Sequence, residues 1–127
     1  MDIDKNRLKK IIKLFLPQEL FDYFKVIDIR DLGKEVHIYL EELNIPPDKF
    51  KGKKLTSKGF HSVSIVQDFP IRDKATYLHI RRRRWVIDSS SEIVSKDWNS
   101  VAKGTHMTKD FATFLKGILG QLPYKQQ

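Results

Sequence analysis

The sequence predicts a single α+β domain, with helices toward both ends of the chain and two or three antiparallel β-hairpins between them. Apolar residues recur at helical spacing near each end, whereas the middle of the chain alternates between apolar and polar residues as strands do. At 127 residues, 40% of them apolar, the chain is long enough to bury a hydrophobic core. We divide it into a helical and hairpin part (1–45), a basic part (46–107) and a C-terminal helix (108–120).

Two segments have the spacing of amphipathic helices. Residues 5–16 form the first, and Pro17 ends it and opens a shorter helix at 17–23. The last helix is predicted to start after an N-cap at Thr108 and to end at Gly120. Its apolar face consists of Phe111, Phe114, Leu115, Ile118 and Leu119.

The first half of the chain contains one predicted hairpin. Strands near 26–29 and 35–41 flank a turn at 31–34, where Asp and Gly suit a tight reversal. Apolar and polar residues alternate in the second strand, so one of its faces is expected to be buried. His37 lies on the other face and is interpreted as a structural or surface residue rather than as a ligand.

The basic part begins with a break and a long loop. The Ile-Pro-Pro sequence at 45–47 cannot continue a strand ladder. Residues 48–61 are rich in Lys and Gly without a period, and they are predicted to form a loop or arm. A second hairpin then joins strands at 62–67 and 75–87, and a third short strand is predicted at 93–95.

The strand at 75–87 is predicted to serve both as core and as contact surface. Its first residues, 77–80, suit a half-buried strand, but the four consecutive arginines at 81–84 repel one another and need water or an anionic partner. If the strand continued regularly, two arginines would lie on each face. Tyr77 and Trp85 could stack on an unpaired base, although core packing is the simpler interpretation of both.

The net charge of +8 is concentrated in one third of the sequence. Between Lys49 and Arg84 lie eleven of the 24 basic residues and only two of the 16 acidic ones. Such a basic segment on a neutral frame is typical of proteins that bind polyanions, above all nucleic acids. The predicted nucleic-acid contacts are Lys51, Lys53, Lys54, Lys58, Arg72, Arg81, Arg82, Arg83 and Arg84.

Several classes of function are not indicated. The chain has no cysteine, which excludes disulfides, a thiol nucleophile and an ordinary zinc ribbon. Its four histidines have no paired spacing, so neither a metal nor a cofactor is predicted. No glycine-rich phosphate loop or Ser-His-Asp arrangement occurs, and the chain alone is not expected to be an enzyme. Without a signal peptide or a long apolar run, a cytoplasmic protein without a membrane partner is expected.

Five segments, at 45–47, 51–61, 66–72, 77–85 and 101–111, follow one another in a recognisable order. Together they resemble the N-terminal region of a bacterial insertion-sequence transposase, of the Aon-type group of Bacteroidetes. The resemblance covers about residues 8 to 119.

More distantly, the layout is similar to transposase N-termini built as a zinc ribbon followed by a helix-turn-helix. The chain keeps the Asp-Phe-Pro turn at 68–70 and the arginines at 81–84, but it lacks the ribbon's cysteines. The resemblance therefore implies that 46–107 is a metal-free, ribbon-like part. Apolar packing of residues such as Phe69, Trp85 and Trp98 would replace the metal.

The resemblance implies a non-catalytic, DNA-binding role at transposon ends, in support of transposition and DNA recombination by a mobile element. The catalytic Asp-Asp-Glu domain would lie downstream or in a partner chain. The expected partners are transposon-end DNA, a catalytic transposase chain and a second copy of the chain, and the expected location is the nucleoid. Three alternatives stay open: an RNA-binding module, a protein-interaction domain with an acidic partner, and an enzyme fragment that needs a catalytic chain.

Overall fold

The computed structural model describes residues 5–98 and 109–119, which form two helices and seven strands. In chain order the elements are α1 (Lys5–Ile12), a 3-10 turn (Gln18–Asp22), β1 (Phe24–Asp31), β2 (Glu35–Glu42), a second 3-10 turn (Asp48–Phe50), β3 (Leu55–Phe60), β4 (Ser64–Ile71), β5 (Lys74–Arg81), β6 (Arg83–Ile87), β7 (Glu92–Val94) and α2 (Lys109–Leu119). The predicted α+β class is confirmed. Thr108 and Gly120, the predicted ends of the last helix, lie outside the described residues, as does most of the 101–111 segment.

The larger sheet has four strands in the order β1-β2-β5-β4. β1 pairs with β2 and β4 pairs with β5, each pair antiparallel, whereas the two inner strands β2 and β5 run parallel. Ile38 on β2 is opposite Leu78 on β5 in this parallel register. The parts 1–45 and 46–107 therefore share one sheet.

One face of the larger sheet carries the main hydrophobic core. Leu40 and Ile80 are fully buried there, and both helices contribute to the same cluster through Ile12 and Leu115. Trp98 stacks on Phe24 in this core, with 5.2 Å between the ring centroids, and does not belong to the separate core of the smaller sheet. Neither helix in the described part of the chain is long and apolar enough to cross a membrane.

The smaller sheet has three strands in the order β3-β6-β7. Its buried face holds a second, small core formed by Trp85, Ile87 and Val94, with Phe50 and Leu55 packed against it. The prediction that 48–61 is entirely a loop was wrong, because residues 55–60 pair with β6 as a strand. Hydrogen bonding to β6 thus overrides the weak strand preference of this Lys- and Gly-rich stretch.

The predicted strand at 75–87 is two strands in two different sheets. β5 belongs to the larger sheet and ends at Arg81, and β6 belongs to the smaller sheet and begins at Arg83. Arg82 is the residue at which the backbone passes from one sheet to the other. The regular alternation expected for the four arginines is therefore broken in the middle of the run.

Candidate nucleic-acid interface

A buried carboxyl group fixes the chain where it changes sheets. Glu42, at the end of β2, is only 1% exposed, and its Oε1 accepts a hydrogen bond of 2.9 Å from the backbone N–H of Arg83. The Arg83 Nε in turn donates to the Glu42 carbonyl at 2.9 Å. On the other side of the junction, the Arg82 carbonyl accepts the backbone N–H of His61 at 2.9 Å. The three bonds hold the Arg82–Arg83 segment between β2 and the end of β3.

Burial raises the pKa of the Glu42 carboxyl above its ordinary value. The hydrogen bond from Arg83 and the charges of Lys96, Arg83 and Arg82 act in the opposite direction but do not cancel this effect. The second carboxyl oxygen, Oε2, is buried without a hydrogen-bond partner in the described structure. The junction therefore contains an acid that holds its proton more tightly than an exposed glutamate would.

Arg83 is a structural residue. Its side chain is 13% exposed, and its guanidinium donates to Ser57 Oγ at 2.9 Å and approaches Glu41 Oε2 at 3.4 Å. It also lies over the ring of Phe60, with 5.0 Å from Cζ to the ring centroid. These contacts use most of the donors of Arg83, which points inward to join the two sheets.

Arg81 is partly exposed and also has contacts within the domain. Its side chain is 42% exposed and lies 3.4 Å from Glu41 Oε1. The Arg81 Cζ is 4.0 Å from the centroid of the Phe60 ring, which is a close cation–π distance. Arg81 could therefore bind an anion only through the part of its guanidinium that Glu41 and Phe60 leave exposed.

Arg82 and Arg84 are the members of the run with fewest internal partners. Within the described residues neither forms an ion pair with a carboxylate, and Arg82 Nε is buried without a hydrogen-bond acceptor. His61 is joined to Arg82 by its backbone N–H, and burial, followed by the charges of Arg82 and Arg84, lowers the pKa of its imidazole. The His61 Nε2 is 2.6 Å from Ser95 Oγ. Two incompletely paired guanidiniums thus lie beside a histidine that favours its neutral form.

One residue of the lysine-rich segment, Lys58, lies directly alongside these arginines. In the β3–β6 register, Ser57 is opposite Trp85 and Phe60 is opposite Arg83, with an irregularity between them. Lys58 and Gly59 must therefore both lie opposite Arg84, as in a β-bulge. Gly59 has a φ of +72°, a left-handed conformation that favours glycine at this position.

The other predicted lysines precede this bulge. Lys51, Lys53, Lys54 and Lys58 all have exposed side chains. The Lys54 carbonyl accepts the backbone N–H of Asp88 at 3.0 Å, which extends the pairing of the two segments by one more residue. Among these lysines only Lys58 lies on β3. The other three precede the strand, beyond the pairing of Leu55 with Ile87, and so lie toward the other end of the small sheet from the arginine run.

Arg72 is not part of this group. It occupies the two-residue turn between β4 and β5, where Arg72 and Asp73 have φ values of 51° and 66°. The length of β5, from Lys74 to Arg81, separates this turn from the arginine run by roughly 23 Å at 3.3 Å per residue. The structure thus places Arg72 at the opposite end of the β4–β5 hairpin.

Sequence reasoning missed a second set of residues on the larger sheet. His37 was interpreted as an isolated histidine, but its Nδ1 lies 2.7 Å from His79 Nε2 and its Nε2 lies 3.0 Å from Glu35 Oε1. Tyr39 and Tyr77 stack beside these histidines. The available signal was the His-x-Tyr at 37–39 and the Tyr-x-His at 77–79, which alternate on strands that turn out to be neighbours.

No group of three or more His, Asp or Glu side chains that could hold a metal ion occurs within residues 5–98 and 109–119. Comparisons with protein-family models, with curated proteins and with solved structures found no match.

Proposed function

We propose that this chain is a non-catalytic, DNA-binding region of an insertion-sequence transposase. In this proposal it recognises transposon-end DNA at the nucleoid, and a downstream domain or partner chain supplies the Asp-Asp-Glu chemistry. The observation that carries the proposal is the adjacency of lysine and arginine side chains at one end of the small sheet. The bulge at Lys58 and Gly59 lies opposite Arg84, and Arg82 directly precedes β6.

The chemistry of these groups suits phosphate contacts. A guanidinium can hold phosphate oxygens through two parallel hydrogen bonds, and a flexible lysine adds a point charge that needs no fixed geometry. Within the described residues, Arg82 and Arg84 have donors that carboxylates do not neutralise. Of the four exposed lysines, Lys58 lies on the neighbouring strand β3 and the other three lie in the segment before it. We therefore assign the phosphate contacts to Arg82, Arg84 and the four lysines at 51, 53, 54 and 58, with Arg81 at the edge.

A two-stranded β-ribbon is narrow enough to enter the major groove of duplex DNA. β7 pairs only with residues 85–87 of β6, so the small sheet is two-stranded at Arg83 and Arg84. In the proposal, this end of the sheet acts as the ribbon, and one of the outward arginines reads a guanine edge. The small core around Trp85 would take the place of the metal in the zinc ribbons that the sequence resembles. Trp98 belongs to the main core, and the side chain of Phe69 lies outside the described residues.

The first test is a fluorescence-anisotropy titration of a labelled duplex that carries a candidate transposon end, with a scrambled duplex for comparison. With six phosphate contacts, affinity should fall roughly a thousandfold between about 50 and 200 mM salt. Preference for the end sequence would support transposon-end recognition, and an equally steep response to both duplexes would indicate a non-specific polyanion binder. Tighter binding to duplex RNA would favour the RNA-binding alternative, and no binding at low salt would favour an acidic protein partner.

Matched variants identify the binding surface. Replacing Arg82 and Arg84 together by alanine should reduce the slope of log affinity against log salt by about two, since each lost phosphate contact removes about one. Arg72→Ala removes one charge from the far end of the β4–β5 hairpin and should leave the slope unchanged. An equal loss per removed charge in both variants would mean that general surface charge, rather than the small sheet, attracts the DNA.

A further inference from the structure

The larger sheet has a second face that neither of the two helices in the described residues packs against. The helices contribute to the core on the other face, where a Cβ at Gly117 of α2 would lie only 2.6 Å from Val66 Cγ1. The opposite face carries the side chains that alternate with the core residues. In the register of the sheet, one row across it contains Arg30, His37, Tyr77 and Gln67, and the next contains Asp28, Tyr39, His79 and Ile65.

Four rings on this face form two stacked pairs, which are in contact through the ring nitrogens of His37 and His79. Tyr39 stacks on His79 with 4.4 Å between the centroids, and His37 stacks on Tyr77 at 5.1 Å. The two pairs are joined by the histidines, whose centroids are 5.0 Å apart. Arg30 lies over the outer side of Tyr39 at 5.2 Å. We define these four rings, His37, Tyr39, Tyr77 and His79, as the aromatic column.

The end of the aromatic column at Tyr77 is open. Among the described rings, Tyr77 pairs only with His37, and its neighbour on β4 is the exposed Gln67. Ile65, also on β4, lies opposite His79 and is 61% exposed. A flat, partly apolar ligand can therefore extend the stack over Tyr77 and cover Ile65.

The charges around the aromatic column favour an anionic ligand. Three carboxylates on this face each have a cationic or imidazole partner. Asp28 lies beside Lys5 and Arg30, and Glu35 lies beside His37. Glu41 lies beside three basic side chains, those of Lys25, Arg81 and Arg83. Basic side chains therefore outnumber carboxylates here. Lys25 and Arg30 remain more than half exposed, at 56% and 62%.

The aromatic column is also continuous with the proposed DNA-binding surface. Arg81 follows Tyr77 and His79 on the same face of β5, and it stacks on Phe60 at the end of β3. The arginine run and the open face of the larger sheet therefore adjoin each other at Arg81. Burial, His37 and Arg30 lower the pKa of His79, which keeps its ring neutral and able to stack at pH 7.

We propose that the open face of the larger sheet binds unpaired nucleotides, with one base stacked on Tyr77 and the backbone directed toward Arg81. Base stacking on aromatic side chains is tolerant of sequence, and flanking arginines hold the backbone. The inference rests on the proposed function in taking nucleic acid as the ligand. It adds that the chain holds a separated strand as well as a duplex.

The test compares labelled oligomers of about ten thymidines or ten uridines with a hairpin duplex, in wild-type protein, Tyr77→Leu and Tyr77→Phe. Tyr77→Leu should weaken oligomer binding about tenfold, while Tyr77→Phe keeps the ring and should bind as wild type does. Both variants should bind the duplex within about twofold of wild type. Thermal unfolding of each variant establishes that the fold is retained.

A crosslinking measurement provides an independent readout on the unchanged protein. An oligomer with 5-iodouracil at one position should, on irradiation, attach to the peptide that contains Tyr77. Attachment only to peptides from the lysine segment would overturn the inference, as would equal oligomer affinity for Tyr77→Leu and wild type. A preference between thymidine and uridine oligomers would identify the natural strand as DNA or RNA, and either is an unpaired nucleotide chain.

The two proposals fail in different ways. Wild-type protein that binds the duplex but no oligomer would overturn the inference and leave the proposed function intact. Wild-type protein that binds oligomers through Tyr77 but not the duplex would overturn the proposed function and leave the inference intact.

Discussion

Arg83→Ala should unfold the domain more readily, although it removes only one of four adjacent arginines. The substitution deletes two hydrogen bonds of 2.9 Å, one to the Glu42 carbonyl and one to Ser57 Oγ, and a weaker contact with Glu41 at 3.4 Å. A hydrogen bond from a charged donor contributes about 1.5 kcal/mol or more to stability when buried. The Arg83 side chain is 13% exposed, so solvent screens these bonds little.

The two short bonds together amount to about 3 kcal/mol. For a domain of this size, each kcal/mol lowers the melting temperature by about 3 to 4 °C, so Arg83→Ala should melt about 10 °C below wild type. Urea titration followed by circular dichroism would give the free energy of unfolding directly. The matched variant is Arg84→Ala. Because Arg84 has no ion-pair partner among the described residues, this substitution should change the free energy of unfolding by less than about 0.5 kcal/mol.

Two outcomes would refute this reasoning. If Arg83→Ala melted within about 2 °C of wild type, its hydrogen bonds would not hold the sheets together. If Arg84→Ala were as damaging as Arg83→Ala, the distinction between structural and ligand-facing arginines would be wrong. Duplex binding gives the complementary contrast, because Arg84→Ala should weaken it while the fold stays intact.

Three further predictions concern the junction and the core. Because burial raises the folded-state pKa of Glu42, the contribution of this group to wild-type stability should be greatest below the ordinary glutamate pKa and fall as pH rises through the raised value. Glu42→Gln should flatten this fall in urea titrations at successive pH values. If Glu42→Gln were much less stable than wild type at pH 7, the folded protein would hold the ionised form of Glu42 instead. His61 should titrate below its ordinary value of about 6.5 in an NMR titration, so stability is lost as pH falls below 6.5, and bound duplex should raise this pKa; no rise would place the phosphates away from the histidine. Gly117→Ala should lower the free energy of unfolding by about 1 to 3 kcal/mol, because its Cβ would lie 2.6 Å from Val66 Cγ1; Val66→Ala in the same chain should relieve part of the loss, whereas simple additivity of the two variants would show that the contact is not the cause.

The fold class and the main core could be predicted from local patterns. Alternation in 35–41 and the helical spacing of Phe114 and Leu115 each report which face is buried, and those assignments agree with the structure. The short helix predicted at 17–23 is a 3-10 turn at Gln18–Asp22, and α1 ends at Ile12 rather than near Leu16. Boundaries of this kind depend on the last few hydrogen bonds, which hydrophobic periodicity does not specify.

The division of the arginine run could not be predicted from the sequence near it. The backbone N–H of Arg83 is held by a carboxyl group 41 residues earlier, and the Arg82 carbonyl by an N–H 21 residues earlier. No local pattern distinguishes one arginine from the next in four identical residues. The different roles of Arg82 and Arg83 arise only from where Glu42 and His61 lie in the folded chain.

The aromatic column was missed for the same physical reason. His37 and His79 are 42 residues apart and meet because β2 and β5 run parallel, whereas the sequence suggested only antiparallel hairpins. A parallel pair needs a crossover whose length and path are not encoded in either strand. The residue types on each strand were visible, but their meeting was not.

The parallel pairing of β2 with β5 predicts that the two hairpins form before they join into one sheet. Each hairpin closes a short loop and can form by itself, but the two hairpins join only through a contact between residues about forty positions apart. That late step brings Tyr39 beside His79 and Glu42 beside Arg83 at the same time. A nascent chain that has not yet emerged beyond β5 is therefore expected to have neither the aromatic column nor the ordered junction, and both should form together with the completed sheet.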